Sequence, residues 1–295
     1  MLDYRATRDF DSGEVRQRYG VAQSLLYALA IGAGADPLDR DELRFVYEVG
    51  QETFPSMACV LAQPGFWMRD RKELGIDALR LVHGEQRVRF HAPLPPAGEV
   101  VGRTRVTHVV DKGPDKGAVL YLEKALHDAA TGRHLATVQP VVFCRGDGGF
   151  SAAGLGSDEA PAPLQPTPTT APDRVLSMPV RADAALLYRL CGDMNPLHAD
   201  PDTARRAGFE RPILHGLATY GFACRGLLQL FCGPNPARLR AMDARMSAPT
   251  YPSDTLQLEC WAPAAGAAGV AFRVTVPARN TVVLSHGRAE ILFTD

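Results

Sequence analysis

The segment Leu214-His-Gly-Leu-Ala-Thr-Tyr-Gly-Phe-Ala-Cys-Arg-Gly-Leu-Leu-Gln-Leu-Phe231 predicts a long helix in the second half of the chain. Its small residues are unusual for a helix interior, and they include Gly216, Gly221 and Gly226. A glycine inside a helix costs roughly 1 kcal/mol relative to alanine. We therefore expect a close contact with a sheet or a ligand to compensate for several of them.

The segments around this helix predict an antiparallel sheet. Alternating and β-branched residues typical of strands occupy ranges in both halves, namely 100–110, 118–127, 134–144, 245–246, 255–261, 270–277 and 282–293. A second apolar helical segment, residues 24–34, precedes the first set. A helix followed by an antiparallel meander, twice, predicts an α+β protein made of two similar halves.

A Gly/Pro-rich stretch divides the two halves. It starts at Gly146 and has prolines at 161, 163, 166, 168 and 172. Because such a composition does not build a core, we predict a linker there. The predicted organisation is an N-terminal half (1–146), a linker (147–172) and a C-terminal half (173–295).

Composition narrows the possible partners. The net charge of −1 gives no field that would recruit nucleic acid or an anionic membrane. The six cysteines form no Cys-x-x-Cys pair, which argues against a zinc site or a disulfide scaffold. No apolar run is long enough to span a bilayer, and the N-terminus lacks an apolar signal core. We expect a cytoplasmic protein without nucleic-acid or membrane partners.

Chemistry-bearing residues cluster in Tyr188-Arg-Leu-Cys-Gly-Asp-Met-Asn-Pro-Leu-His198. Pro196 biases Asn195 away from helix, so the segment is predicted to be an ordered turn. Across that turn Asp193 and His198 can converge on one small molecule, and each can exchange a proton. Asn195 can orient either of them or a water molecule.

The long helix is predicted to add an electrophilic partner. Its first backbone N–H groups have no intrahelical acceptor and lie at the positive end of the helix dipole. Gly216 has no side chain, so a carbonyl can approach its N–H as in an oxyanion hole. The neighbouring His215 is a candidate for contacting the substrate.

Plainer interpretations of the same residues remain open from the residues alone. Asp-x-Asn-Pro often forms an Asx-turn or a helix cap, and a lone histidine is often structural. The oxygen-rich run from Asp193 to Asp202 lacks the spacing of a calcium loop.

The motif and much of the chain resemble the hydratase 2 family, the MaoC-like (R)-specific enoyl-CoA hydratases, in its two-domain form. Cys191 stands where that family usually has another small residue. Similar segments extend along the chain, at 27–32, 43–48, 83–85, 93–98, 111–113, 145–150 and 249–256.

The resemblance implies a double hot dog fold, in which each half is a long helix wrapped by an antiparallel sheet. It implies that only the C-terminal half keeps the catalytic pair, Asp193 and His198, with Asn195 in support and Gly216 as oxyanion donor. The N-terminal half would accommodate the acyl chain. The implied reaction is reversible syn hydration of a trans-2-enoyl-CoA to an (R)-3-hydroxyacyl-CoA, without metal or other cofactor, in a homodimer.

Further expectations concern the substrate. Arg205, Arg206 and Arg225 are candidates for binding the CoA phosphates. Four apolar residues of the first half are candidates for the acyl pocket or, equally, for the ordinary core: Phe54, Met57, Phe66 and Trp67. Two alternatives stay open. One is a dehydratase for an unusual acyl-CoA with a branched dicarboxylic or steroid side chain; the other is a non-catalytic acyl-CoA-binding subunit.

Overall fold

The computed structural model describes residues 2–262 and 269–293, and all its strands join one antiparallel sheet. The first half supplies β1 (Val15–Tyr19), β2 (Leu81–Phe90), β3 (Gly98–Asp111), β4 (Ala118–Asp128) and β5 (His134–Cys144). The second half supplies β6 (Arg174–Pro179), β7 (Leu239–Met246), β8 (Thr255–Trp261), β9 (Val270–Val276) and β10 (Thr281–Ile291).

The strand order repeats from each edge of the sheet. It runs β1-β3-β4-β5-β2-β7-β10-β9-β8-β6, so both halves place their strands as first, third, fourth, fifth and second. The innermost strands, β2 and β7, pair with each other at the centre. The predicted α+β duplication is therefore confirmed, and the two halves share one continuous ten-stranded sheet.

Seven α-helices occur among the described residues. They are α1 (Tyr4–Arg8), α2 (Val21–Ala30), α3 (Arg40–Val46), α4 (Trp67–Asp70), α5 (Ala184–Tyr188), α6 (Pro201–Arg206) and α7 (Gly216–Leu227). The helix α7 continues through a π-helical turn at Leu228–Cys232, close to the predicted range. The first-half helix ends at Ala30, earlier than predicted, because Gly32 and Gly34 take positive φ angles of 83° and 75°. None of these helices is both long and apolar enough to cross a membrane.

Glycines let α7 lie unusually close to its neighbours. A Cβ on Gly221 would come within 2.5 Å of Ile31 Cγ2 in the first half. A Cβ on Gly226 would come within 2.6 Å of Leu258 Cδ2 on β8. The predicted compensation is thus confirmed, because the missing side chains make room for the other half and for the sheet.

The sequence analysis missed β1, β2 and β6 and most of β7. The omission of β2 has a physical reason, since its residues do not alternate between apolar and polar. Glu85 and Gln86 are both buried there, at 4% and 1% exposure, within a strand that also carries Arg87 and Arg89. The strand pairs with a neighbour on both sides, and its charged residues form ion pairs within the strand and with β7.

The segment between the halves, residues 145–173, lies wholly within the described chain and forms no helix or strand. Its beginning is nevertheless packed, because Phe150 is fully buried. Farther along, the carboxylate of Asp158 accepts hydrogen bonds from Val109 N at 2.7 Å and from Tyr4 Oη at 2.9 Å. The expectation that this stretch takes no part in a core is wrong at its start, where Phe150 belongs to a core cluster, while the three-part division of the chain stays a prediction.

Ion pairs reinforce the central β2–β7 junction. Glu85 Oε1 lies 2.7 Å from Arg245 Nη2 on β7, and Glu85 Oε2 lies 2.7 Å from Arg87 Nη2. Two residues along, Arg89 Nη1 lies 2.8 Å from Asp243 Oδ1. A buried carboxylate that holds two guanidinium groups makes the junction sensitive to its removal.

Replacing Glu85 with alanine should therefore lower the free energy of unfolding. We expect a loss of about 3 kcal/mol, at the low end for a broken buried pair because Arg245 keeps some contact with water. Urea denaturation measures the change. The matched control is Glu14→Ala, which removes an exposed partner of Arg16 and should cost less than about 0.5 kcal/mol. Equal losses for both variants would contradict this account of the junction.

Candidate active site

A tight turn presents the predicted acid and imidazole. After α5 the chain reverses at Gly192, whose φ of 126° is one that side chains rarely permit. Asp193 Oδ1 then accepts a hydrogen bond from Asn195 N at 3.1 Å, and Asn195 Oδ1 accepts one from Leu197 N at 3.0 Å. Asn195 thus caps the short 3₁₀ turn Pro196–His198, as the plainer interpretation of the motif expected.

Three potential proton acceptors meet at this turn. The rings of His198 and His215 stack with their centroids 3.6 Å apart. A carboxylate oxygen of Asp193 and one ring nitrogen from each of His198 and His215 lie within 4.8 Å of one another. Both histidines are buried, at 8% and 2% exposure, whereas Asp193 is half-buried. The fold therefore unites residues that are 22 positions apart.

Backbone carbonyls fix the tautomers of the two histidines. His198 Nδ1 lies 2.9 Å from the carbonyl oxygen of Ile213, which can only accept, so Nδ1 carries the hydrogen. His215 Nε2 lies 3.1 Å from the carbonyl oxygen of Asp193 and carries the hydrogen for the same reason. This leaves a lone pair on His198 Nε2 and another on His215 Nδ1. Among residues 2–262 and 269–293, no hydrogen-bond partner satisfies the buried Nδ1 of His215.

Burial keeps both imidazoles neutral. It lowers the pKa of His198, although the Ile213 carbonyl and the charge of Asp193 oppose the shift. Burial, followed by the neighbouring His198, lowers the pKa of His215 to about 4. At neutral pH both imidazoles can therefore accept protons.

Gly216 starts α7 directly beyond His215, which is its N-cap residue. The N–H groups of the first helical turn have no intrahelical partner. A Cβ on Gly216 would come within 3.3 Å of Met246 Cγ on β7, so the backbone runs close to the sheet there. The position offers a donor near the carboxylate and the two imidazoles.

The arginines proposed for CoA binding have different surroundings. Arg205 and Arg206 lie at the end of α6, exposed, with Arg205 Nη1 2.8 Å from Asp202 Oδ1. The prediction for Arg225 is wrong, because its guanidinium forms a buried ion pair with Glu42 of the first half. With its side chain only 11% exposed, Arg225 joins the halves and does not extend toward solvent.

The apolar candidates of the first half also separate. Phe54 and Met57 belong to the main core, which they share with α7. Trp67 instead stacks on Phe10 in a different cluster, with ring centroids 3.6 Å apart, and Phe66 is 45% exposed. Phe54, Met57 and Trp67 are therefore core residues, and a role of the four residues in an acyl pocket stays a prediction.

Two residues near the site were not selected as candidates. His83, on β2 of the first half, is close enough for the charge of Asp193 to oppose the lowering of its pKa by burial. Tyr188 has a fully buried hydroxyl without a hydrogen-bond partner among the described residues, and its ring centroid lies 5.0 Å from that of His215. Both residues belong to segments that carry the family resemblance, which was the available signal.

Two family models match the two halves of the chain. Residues 18–146 match the model of the MFE-2 hydratase 2 N-terminal domain, and residues 163–282 match that of the MaoC like domain. Enoyl-CoA hydratase ChsH3 of Mycobacterium tuberculosis is 36% identical, and the alignment covers 88% of each chain. The chain belongs to the MaoC-like hydratase 2 family.

Other members of the family extend the likeness. The 3-hydroxyacyl-thioester dehydratase Y of Mycobacterium tuberculosis is 38% identical over 90% of this chain and 91% of its own. The crystal structure of a MaoC-like dehydratase from Phytophthora capsici superposes with a TM-score of 0.83, at 29% identity and 98% coverage of both chains. The predicted double hot dog fold is thereby confirmed.

The tautomers can be tested by long-range ¹H–¹⁵N NMR of the histidine rings. At pH 7 we expect the hydrogen on Nδ1 of His198 and on Nε2 of His215, with both rings neutral. Because burial lowers both pKa values, each ring should be more than half neutral at pH 6.5, the usual pKa of a free imidazole. Single histidine-to-glutamine variants assign the signals. A doubly protonated His198 at pH 7 would contradict the assignment.

Proposed function

We propose that the protein catalyses reversible syn hydration of a trans-2-enoyl-CoA to an (R)-3-hydroxyacyl-CoA. The observation that carries the proposal is the meeting of the Asp193 carboxylate and the His198 lone pair beside the first N–H of α7. Family membership supports it, since relatives are named enoyl-CoA hydratase and 3-hydroxyacyl-thioester dehydratase.

The proposed reaction begins with one water molecule held between Asp193 and His198. His198 Nε2 takes a proton as the water oxygen bonds to C3. The electron pair of the C2–C3 double bond then shifts toward the thioester, whose oxygen gains charge and accepts a hydrogen bond from Gly216 N–H. Asp193 accepts a hydrogen bond from the O–H that stays on the water oxygen and offsets the charge of the imidazolium.

The same nitrogen completes the reaction. His198 Nε2 returns its proton to C2, on the face to which oxygen was added, and the thioester carbonyl re-forms. One water has been added, and His198 is neutral again. We propose that no metal or redox cofactor takes part, because the addition involves no net oxidation and the chain's own groups supply base, acid and electrophile.

Asn195 and His215 support this pair from the sides. We propose that Asn195 holds the turn through its Oδ1, which accepts a hydrogen bond from Leu197 N, leaving its side-chain NH2 to orient the water. His215 fixes Asp193 through the backbone carbonyl that accepts its Nε2–H. Both act on the reaction by positioning the groups that exchange protons.

We also propose how the substrate binds, how the chain assembles and where it is located in the cell. Arg205 and Arg206 are exposed cations at the end of α6 that can meet CoA phosphates. Phe54 and Met57 are the first-half residues proposed to line the acyl pocket, since they share a core with α7. A homodimer is proposed on the family resemblance, and a cytoplasmic location on the scattered cysteines, which suit a reducing compartment. The relatives also include an enoyl-CoA hydratase 2 named as peroxisomal.

The two alternative functions, a specific dehydratase and a non-catalytic binding subunit, make different demands on the side chains of the site. A dehydratase for one particular acyl-CoA would use Asp193, His198 and Gly216 in the reverse direction, and a relative is named for that direction. A non-catalytic binding subunit has no need of a carboxylate and a correctly oriented imidazole together. The site therefore favours an enzyme.

Replacing either member of the pair should abolish most turnover. For Asp193→Asn and His198→Gln we expect kcat to fall by about 10² to 10⁴, the usual contribution of a proton-transferring group. Hydration of trans-2-enoyl-CoA thioesters of several chain lengths, followed at the enoyl absorbance, measures the loss. Circular dichroism checks that the fold is retained.

The matched control is His134→Gln, which changes a half-exposed histidine on β5 of the other half and should leave kcat unchanged. Wild-type turnover by either site variant, on every thioester that the wild type hydrates, would remove that residue from the mechanism.

A further inference from the structure

We propose that His83 of the first half binds the substrate, with its Nδ1 accepting a hydrogen bond from the amide N–H nearest the thioester sulfur of the CoA arm. The first half would then contact the reacting end of the substrate through a defined atom. This inference rests on the proposed function, because it takes an acyl-CoA thioester as the ligand.

A β-bulge in β2 sets the direction of this side chain. Where β2 pairs with β5, the register shifts between His83 and Glu85, so that Gly84 is one extra residue. A Cβ on Gly84 would clash with the ring of Phe143, which is why a glycine occupies the bulge. Bulges re-aim side chains and are frequent next to active sites.

The bulge turns His83 toward the helices. Two residues that lie opposite each other in an antiparallel pair share one face of the sheet, and His83 lies opposite Val142. Val142 packs against the cluster that contains Leu122 of β4. Leu126, four positions along β4 and so on the same face, belongs to the core that contains α7. His83 therefore faces α7, whereas Glu85, opposite the adjacent residue of β5, faces the other side of the sheet.

His83 also borders the turn and the helix start that form the site. Because β2 and β7 pair antiparallel, the start of β2 lies beside the end of β7, where Met246 is. A Cβ on Gly216 would come within 3.3 Å of Met246 Cγ. Asp193 is close enough for its charge to act on the pKa of His83. The ring therefore lies at the edge of the site, on the side of the first half.

The ring of His83 offers a neutral acceptor. Its Nε2 lies 3.1 Å from the carbonyl oxygen of Glu85, which can only accept, so Nε2 carries the hydrogen and Nδ1 has the lone pair. Burial lowers the pKa of His83, so the ring is mostly neutral at pH 7. The side chain of Gln86 opposes this lowering of the pKa, whereas a donor to the Nδ1 lone pair would add to it. Gln86 Nε2 instead donates to Arg87 O at 3.2 Å, which leaves His83 Nδ1 for a donor of the substrate.

The reacting end of an acyl-CoA brings one donor that needs such an acceptor. In the CoA arm, two methylene groups separate the thioester sulfur from the nearest amide nitrogen, whose N–H loses water when the substrate enters the site. In the proposed reaction the thioester oxygen uses Gly216 N–H, while Asp193 and His198 hold the reacting water. A buried donor without an acceptor is costly, and a hydrogen bond to an imidazole nitrogen removes that cost. His83 Nδ1 is thus the acceptor that the first half supplies for this amide.

Two substitutions of His83 separate the acceptor from the rest of the ring. His83→Gln keeps an amide N–H at the position of Nε2, for Glu85 O, and loses the acceptor at Nδ1. His83→Asn keeps an acceptor at the position of Nδ1 and loses the bond to Glu85 O. We expect KM for crotonyl-CoA to rise roughly 3- to 10-fold in His83→Gln with kcat nearly unchanged, because one neutral hydrogen bond made equally in ground and transition states is lost. His83→Asn should keep a KM within about 2-fold of the wild type.

A change in the substrate tests the same hydrogen bond from the other side. In an oxygen analogue of crotonyl-CoA, the amide nitrogen nearest the sulfur is replaced by oxygen, which removes the N–H. The wild type should have a KM roughly 3- to 10-fold higher for this ester than for the amide. His83→Gln should have the same KM for both, because it lacks the partner of the N–H. The remote variant His134→Gln should keep the wild-type preference for the amide.

A histidine that only stabilises the fold would change both KM values by the same factor. The proposal is overturned if the wild type does not prefer the amide, or if His83→Gln keeps the full preference of the wild type. If circular dichroism shows that His83→Gln does not fold, His83→Ala takes its place, since it also loses the acceptor.

Binding without turnover separates this inference from the proposed function. Calorimetry with the unreactive butyryl-CoA and its oxygen analogue should show the same preference for the amide, and the same loss of that preference in His83→Gln. Inactivity on every enoyl-CoA would contradict the proposed function, and these titrations would still decide the contact with His83. Full activity without any preference for the amide would overturn the contact alone.

Discussion

The structure depends on the pairing of β2 with β7, which turns two five-stranded halves into one sheet. Each half contributes charges to this junction, and Glu85 is buried between Arg87 and Arg245. Because the two strands are locked in register, the first half covers the helix of the second. The second half therefore supplies the motif residues of the site, and both halves surround them.

The contacts of helix α7 with the first half fix the position of the site, which lies at the start of this helix. Gly221 brings it against Ile31 of the first half, and Arg225 pairs with Glu42 at the far side of the same contact. The start of the helix is fixed in turn, because Leu214 N donates to Thr250 O at 2.8 Å. Gly216 N–H and the His215 ring consequently occupy defined positions opposite the turn that carries Asp193 and His198.

Local patterns of the sequence were enough for some of this arrangement. Prolines, glycines and alternating strands predicted the duplication, and the turn around Pro196 predicted that Asp193 and His198 meet. Local patterns could not predict the features that depend on residues far apart in the sequence. The polar residues of β2 fit a buried strand because Arg245 of β7 lies opposite Glu85. The sequence around Arg225 is compatible with an exposed cation, and only the folded structure shows that Glu42 pairs with it. The tautomers likewise depend on which carbonyls the fold brings to each ring.

The central claim is that the site adds the oxygen and the proton of water to the same face of the substrate's C2–C3 double bond. It is tested most directly by hydrating short- and long-chain trans-2-enoyl-CoA thioesters in D₂O and determining the configuration of the product at C2 and C3. Transfer through His198 predicts an (R)-3-hydroxyacyl-CoA with deuterium at C2 on the face that received the hydroxyl group. An (S) product, or deuterium on the opposite face of C2, would contradict the account.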